Sequence, residues 1–201
     1  MFDVANIGDA PAGAGRANQV GQAGLSVVVL VRDADIYPLP RAIHFDGEIM
    51  RVYQNLGLRG EVERISRPGL KGMQFVNAAG ETLLVRGGTT PHGPQGCASN
   101  YYFHQPELEQ VLREGVKRFD QVQVRLRHEV TQLDDHGDHV TLAVKDLEHD
   151  AEQVLQARYV VGCDGARSLV RRTIGTAMTD LGLHQPWLVF DVLLKPDAPT
   201  L

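Results

Sequence analysis

Three short stretches carry residue types whose spacing could do chemistry. In NIGDAPAGAG, residues 6–15, Gly8 and Gly13 stand where the first and third glycines of a GxGxxG turn stand. Such a turn takes a strand into a helix whose N-terminal N–H groups and dipole face a phosphate. The first glycine permits the tight turn, the second lets the backbone approach a pyrophosphate, and the third lets helix and strand pack closely. Ala10 replaces the second glycine, and Asp9 sets a carboxylate beside the anion's expected place. Both oppose anion binding. An acidic residue for ribose hydroxyls belongs about twenty residues further on, at the end of the next strand. Val31 stands there, followed by Arg32, and Asp33 is the nearest carboxylate in strand phase.

The second stretch is YFHQPELEQVLR, residues 102–113, with Gln105 at a helix start. The third is YVVGCDGARSLVRR, residues 159–172, with Asp164 and Gly165 between an apolar run and a helix start. A carboxylate at a strand end accepts hydrogen bonds from cofactor hydroxyls or from nearby backbone N–H groups, and a glycine after it lets the chain turn close to a ligand. Read singly, each has a plainer meaning. Gln105 fits the first turn of any helix, Asp164-Gly165 an ordinary turn, and Arg41, in the loop after the second strand, a surface ion pair.

The elements that position these residues follow from periodicity. FDVANI (2–7) is a strand candidate, although Asn6 suits a doubly buried strand poorly. Residues 11–24 predict a helix, marginal because glycines and Asn18 replace large apolar residues. LSVVVL (25–30) is a parallel strand covered on both sides. Together these make a βαβ unit. Prolines 38 and 40 mark a loop, and Ile49, Val52, Tyr53 and Leu56 mark a helix. Residues 72–86 predict a hairpin around Ala79 and Gly80, and 87–96 a Gly/Pro-rich loop. Leu108, Val111, Leu112, Val116 and Phe119 form a helical apolar stripe after Pro106. A meander follows, VQVRL, HEVTQL, HVTLAVKD and QVLQARYVVG, then a short helix capped by Ser168. PWLVFDVLL (186–194) predicts a last strand.

Composition narrows the function classes. The chain has 201 residues, 43% of them hydrophobic, and a net charge of −5 without a long block of one sign. That suits a folded domain with a small soluble ligand rather than nucleic acid. No apolar run reaches membrane-spanning length, and the first residues lack a signal-peptide pattern, so the expectation is a cytoplasmic protein without a membrane partner. Cys97 and Cys163 have unrelated contexts and read as reduced packing residues. His136 and His139 belong to a polar turn, His44 and His104 read as structural, and no metal site is expected.

In their order and spacing the three stretches resemble the group A flavoprotein monooxygenases, the para-hydroxybenzoate hydroxylase-like aromatic hydroxylases. GCDGARS is similar to that family's DG motif and HQPELE to its flavin-contacting glutamine segment. PRAIHFDGEIMRVYQNLGL and PWLVFDVLLKPDAPTL look most like the branch that hydroxylates 3-(3-hydroxyphenyl)propionate. The resemblance implies an α/β fold, a Rossmann-like FAD-binding βαβ domain with part of a β-sheet substrate domain. It implies a division into 1–71 and 105–178 for FAD binding, with 72–104 and a truncated 179–201 belonging to the substrate domain. It also implies FAD, reduced by NADH or NADPH, and hydroxylation of a phenolic aromatic acid by dioxygen. By the same resemblance Gly8, Ala10 and Gly13 hold the pyrophosphate. Val31 and Arg32 flank the adenosine ribose, while Arg41, Gln105, Asp164 and Gly165 complete the cofactor contacts. No catalytic residue is assigned.

Family members are longer and carry a later GD segment that this sequence lacks, so the chain resembles their N-terminal part. Asn6, Asp9, Ala10, Gly15, Arg16, Asn18 and Gln19 all sit badly with a Rossmann opening. This clustering reads as local alteration rather than tuning for another ligand. The expectation is a chain with little activity alone, whose cofactor binding fails first at this turn. Another FAD- or NAD-binding oxidoreductase and a non-catalytic remnant are the alternatives.

Overall fold

The computed structural model describes residues 1–39, 41–87, 90–188 and 195. In chain order the elements are β1 (Phe2–Ile7), α1 (Pro11–Gln22), β2 (Val27–Val31), β3 (His44–Asp46), α2 (Gly47–Asn55), α3 (Arg59–Ile65), β4 (Ser66–Pro68) and β5 (Met73–Val76). They continue with β6 (Thr82–Arg86), β7 (Asn100–Phe103), α4 (Gln105–Val116), β8 (Val122–Leu126), β9 (His128–Asp135), β10 (Val140–Asp146), β11 (Ala151–Gly162) and α5 (Leu169–Thr173).

The main sheet has six strands in the order β8-β2-β1-β11-β10-β9. β8, β2, β1 and the second half of β11 run parallel, while β10 and β9 join antiparallel through the first half of β11. β2 explains why the sheet forms here. Its five residues VVVLV are all buried, and alternate side chains enter two cores because strand side chains alternate faces. Val27, Val29 and Val31 pack with Val4, Ala17, Val20 and Val116 toward α1 and α4. Val28 and Leu30 meet Ala5, Ile7, Leu133, Leu142 and Val144 on the other face. The expected βαβ opening is present, as is the apolar stripe of α4, whose Leu108, Leu112 and Val116 are buried. Of the expected four-strand meander only β9, β10 and β11 form one; VQVRL (β8) instead pairs parallel with β2 at the opposite edge of the sheet.

The structure corrects the reading of Asn6 and Asn18 as misfits. Both are almost fully buried, and both are bonded. Asn18 Nδ2 donates to Leu112 O at 2.8 Å and to Ala14 O at 2.9 Å, and its Oδ1 accepts from Arg118 Nη2 at 3.1 Å. A buried amide with partners for its donors and acceptor carries little of the desolvation penalty an unbonded one carries. α1 thus compensates its shortage of large apolar residues by hydrogen bonds to α4. A side chain at Gly115 would start 2.7 Å from Asn18 Oδ1, and one at Gly21 would meet Phe119 and Val122 at 2.8 Å, so these glycines set how closely α1 lies on its neighbours.

A third core joins α2, α3 and α4 to a three-stranded sheet of order β3-β7-β4, around Phe45, Met50, Tyr53, Leu108 and Leu112. These strands are three or four residues long and α3 has seven. Segments so short show no periodicity of their own, and the sequence reading missed them. The hairpin β5–β6 forms as expected, its turn set by Asn77 Oδ1, which accepts from Ala79 N and Glu81 N, both at 3.0 Å. His136 and His139 stack across the expected polar turn. Of the strand expected at 186–194, residues 186–188 are irregular and residues 189–194 lie outside the described residues.

Asn18→Ala removes the tie between α1 and α4, taking away the bonds to Leu112 O and from Arg118 Nη2. The expected loss is about 1–3 kcal/mol, seen as a lower urea midpoint with an unchanged slope. An unchanged midpoint would show that the amide contributes nothing to the contact.

Candidate functional site

β2, β1 and β11 end side by side, and their ends ring one cleft of about 920 Å³. From β1 the chain crosses through α1 to β2 on one side, while β11 lies on the other, so the cleft sits where strand order reverses. Open α/β sheets form their ligand crevices at such points, outside the carboxyl ends of the strands. Gly8 N donates to Leu30 O at 2.9 Å and Cys163 N to Ile7 O at 2.8 Å, which fastens the three ends together.

The turn after β1 is built from close backbone approach. Gly8 has φ +92°, and a Cβ there would stand 2.4 Å from Cys163 O; a Cβ on Gly13 would overlap Gly8 O. Neither position accommodates a side chain in this arrangement. Asn6 Nδ2 reaches over from β1 and donates to Gly8 O at 2.8 Å and Gly13 O at 3.3 Å. Asn6, marked as a defect from sequence, is thus an internal brace of the turn. Ala10 is the N-cap of α1, Pro11 follows, and no side chain caps the helix. The first N–H groups of α1 are left without a side-chain acceptor, as an anion site needs.

One face of α4 supplies buried polar groups to the same region. Gln105, Glu109 and Arg113 follow one another at four-residue intervals and so share a face. Gln105 Oε1 accepts from Arg41 N at 2.9 Å and Ala42 N at 2.8 Å, while its Nε2 donates to Glu109 Oε1 at 2.7 Å. Arg113 Nε lies 2.7 Å from Asp9 Oδ2, with side chains only 15% and 8% exposed, and Nη1 donates to Asp35 Oδ1 at 3.3 Å. The Nε–H does not point along the short Asp9 contact, so the two groups pair by charge without a hydrogen bond. Asp9, expected only to repel an anion, is held by a cation. Glu109 and Arg113 both line the cleft and went unassigned from sequence. Their signal was present in the i, i+4, i+8 spacing of QPELEQVLR.

Of the residues assigned from sequence, Gly8, Ala10, Val31, Arg32, Arg41, Asp164 and Gly165 line the cleft. Gly13 lies beneath the turn, and Gln105 spends its amide on the 41–42 backbone and on Glu109. Val31 is buried at the cleft edge, Arg32 pairs with Asp33 at 3.6 Å in solvent, and the Arg41 guanidinium sits 5.2 Å from the Tyr37 ring centroid. Asp164 Oδ1 accepts from Ser168 Oγ and its Oδ2 from Leu169 N, both at 2.6 Å, while Ser168 Oγ accepts from Arg171 N at 2.9 Å. Ser168 caps α5 as expected. Gly165, at φ +73°, makes the turn between them. Cys163 lines the cleft wall rather than the core, and burial pushes its thiol pKa up. Among the described residues no helix is long and apolar enough to cross a membrane.

Comparison with known proteins gives one consistent picture. The FAD binding domain family model matches residues 1–201. A Rhodococcus jostii (strain RHA1) protein named "Probable NADH-specific resorcinol 4-hydroxylase" is 39% identical over 99% of this chain and 37% of its own length. The 3-(3-hydroxy-phenyl)propionate/3-hydroxycinnamic acid hydroxylase of Comamonas testosteroni is 35% identical over 96% of this chain and 32% of its own. The chain therefore spans about a third of the length of these curated relatives. Among solved structures, the flavin-dependent monooxygenase PieE in complex with FAD and substrate matches with a TM-score of 0.75 and 25% identity over 87% of this chain and 32% of that one. The p-nitrophenol 4-monooxygenase PnpA of Pseudomonas putida DLL-E4 shares the fold at a TM-score of 0.79 and 24% identity, over 87% of this chain and 44% of that one. The mixed α/β architecture is thus that of FAD-binding monooxygenases.

Gln105→Ala leaves the Arg41 and Ala42 amides without their acceptor. Losing a buried acceptor costs about 1–3 kcal/mol locally, so hydrogen exchange at these two amides should quicken by roughly tenfold or more. Equal exchange in the variant would mean that the loop is held by other contacts.

Proposed function

The chain belongs to the FAD-binding domain family, and from that premise we propose that it is the FAD-binding part of an NADH- or NADPH-consuming aromatic hydroxylase. The substrate class is a phenolic aromatic acid of the 3-(3-hydroxyphenyl)propionate kind, with dioxygen as co-substrate. The observation that carries this reading is the cleft at the strand-order reversal, with Gly8 and Gly13 holding the backbone open at the start of an uncapped helix. Gly8's own positive φ and the space Gly13 leaves for the Gly8 carbonyl fit a pyrophosphate cradle. At the side-chain level the fit is partial, because Ala10 adds a methyl group and Val31 offers no acceptor to a ribose.

Bound FAD would supply two-electron transfer from the nicotinamide and the activation of dioxygen, while the protein supplies position and shielding. In this reading the α1 N-terminus faces the pyrophosphate, and Val31, Arg32 and Asp33 flank the adenosine ribose. Asp164 holds the start of α5 beside the cofactor. Arg41 and Gln105 act together, since Gln105 fixes the backbone of residues 41 and 42 and so places the loop over the cleft. We divide the chain accordingly, with 1–71 and 105–178 for FAD and with 72–104 and 179–201 for a substrate domain. One observation favours a second reading, a remnant that keeps the fold without the cofactor. Asp9 and Val31 stand at the two places where the cofactor's phosphates and ribose would need other chemistry.

Mixing the purified chain with FAD tests the two readings. The first expects a protein-bound flavin spectrum and slower alkylation of Cys163, which lines the cleft, with buried Cys97 as internal control. A folded circular dichroism spectrum with no bound flavin favours the remnant. Ala10→Gly combined with Val31→Glu should tighten FAD binding by roughly tenfold, about 1.4 kcal/mol. Unchanged affinity would place the weakness outside the turn and the β2 end.

A further inference from the structure

In the cleft Asp9, Arg113 and Asp35 form a charged triad, and the preceding reading gives its central cation, Arg113, no role. Arg113, on α4, lines the cleft. Its outer contact, Asp35, is 86% exposed, and such a pair is readily exchanged for solvent or another anion. Its inner contact, Asp9, is buried, and a buried carboxylate needs a positive partner. Asp9 also directly precedes Ala10, the N-cap of α1. A carboxylate there lies in the positive end of the helix dipole. The two sources of positive potential at this turn, the guanidinium and the helix start, therefore converge on one carboxylate.

We propose that Asp9 is an internal occupant of the cleft's anion subsite: it neutralises Arg113 and the start of α1, so that a phosphate-bearing ligand binds only by displacing it. This rests on the reading of the cleft as an FAD site and adds to it the residue that sets its anion affinity. The pair is held by charge rather than by an aligned hydrogen bond. Arg113 Nε and Asp9 Oδ2 are close, yet neither has a hydrogen bond there. A guanidinium bonds phosphate oxygens through two parallel N–H groups, a geometry that its contact with Asp9 does not achieve. Phosphate oxygens could then take Arg113 over only if the Asp9 carboxylate left or lost its charge.

The experiment titrates the full chain with inorganic pyrophosphate and, separately, with FAD. Asp9→Asn keeps the shape and removes the charge, and it should bind pyrophosphate at least tenfold more tightly, with a steeper loss of affinity as salt is raised. Asp9→Ala should show the same gain and serves if the asparagine variant does not fold. Asp9→Glu keeps the carboxylate and should show none. Adding Arg113→Gln to Asp9→Asn should abolish the gain. Equal pyrophosphate affinity for wild type, Asp9→Asn and Asp9→Ala overturns the proposal, and so does a gain that survives Arg113→Gln. A pyrophosphate gain with no FAD binding in any variant supports Asp9's role and overturns the FAD reading. FAD binding by the wild type with no gain on removing the Asp9 charge does the reverse.

Discussion

The contact on which this structure depends is made by backbone, at the point where β1 ends. The Gly8 carbonyl lies where a Gly13 side chain would begin, and the Cys163 carbonyl lies where a Gly8 side chain would begin. This double approach lets α1 start directly over the sheet and lets β11 end beside β1. The ladders then place the ends of β2, β1 and β11 together. Without that approach the helix would stand off the sheet, and Val20, Ala17 and Val116 would not meet Val27 and Val29. The cleft is a geometric consequence of the same turn.

Around it, α1 is held by hydrogen bonds where an amphipathic helix is ordinarily held by an apolar stripe. α1 has one large apolar residue facing the core, Val20. Transfer of so little surface would hold a helix weakly. Asn18, Arg118 and Gly115 replace that bulk with a bonded contact to α4, and Asn6 braces the turn from the strand side. Such a network is stabilising only while every member is satisfied, because a lone buried amide is costly. The same sequence positions that look like errors by a hydrophobic criterion are therefore coupled to one another. Changing one of them singly should do more harm than its polarity suggests.

What was legible in the sequence had period and length. The β2 run and the α4 stripe declare themselves because burial on two faces, or on one, leaves a repeat of apolar residues. Gly8, Gly13 and Asp164-Gly165 were legible because turns demand particular backbone freedom. Two kinds of feature were not. β3, β4 and β7 are too short to carry a repeat and exist through pairing across long separations. The partnership of Asp9 with Arg113, and of Gln105 with the 41–42 backbone, joins residues far apart in sequence, so no local pattern announces it. Sequence gave the sign of Asp9's charge. Only the fold shows which charge answers it.

That distinction separates two properties usually read together from a fingerprint. The shape of the turn rests on glycines and backbone bonds, and it survives Ala10 and Asp9 intact. Its affinity for an anion rests on net charge at the helix start, where a carboxylate already meets the cation that would otherwise be free. A helix dipole contributes about half an elementary charge at its end, less than the full charge of one carboxylate. With Arg113 paired, the dipole alone is a weak attraction against a nearby negative group. A degenerate glycine turn can therefore be structurally complete and yet, on the proposed role of Asp9, electrostatically closed, its charge balance set by two side chains that are not among its glycines, Asp9 and Arg113.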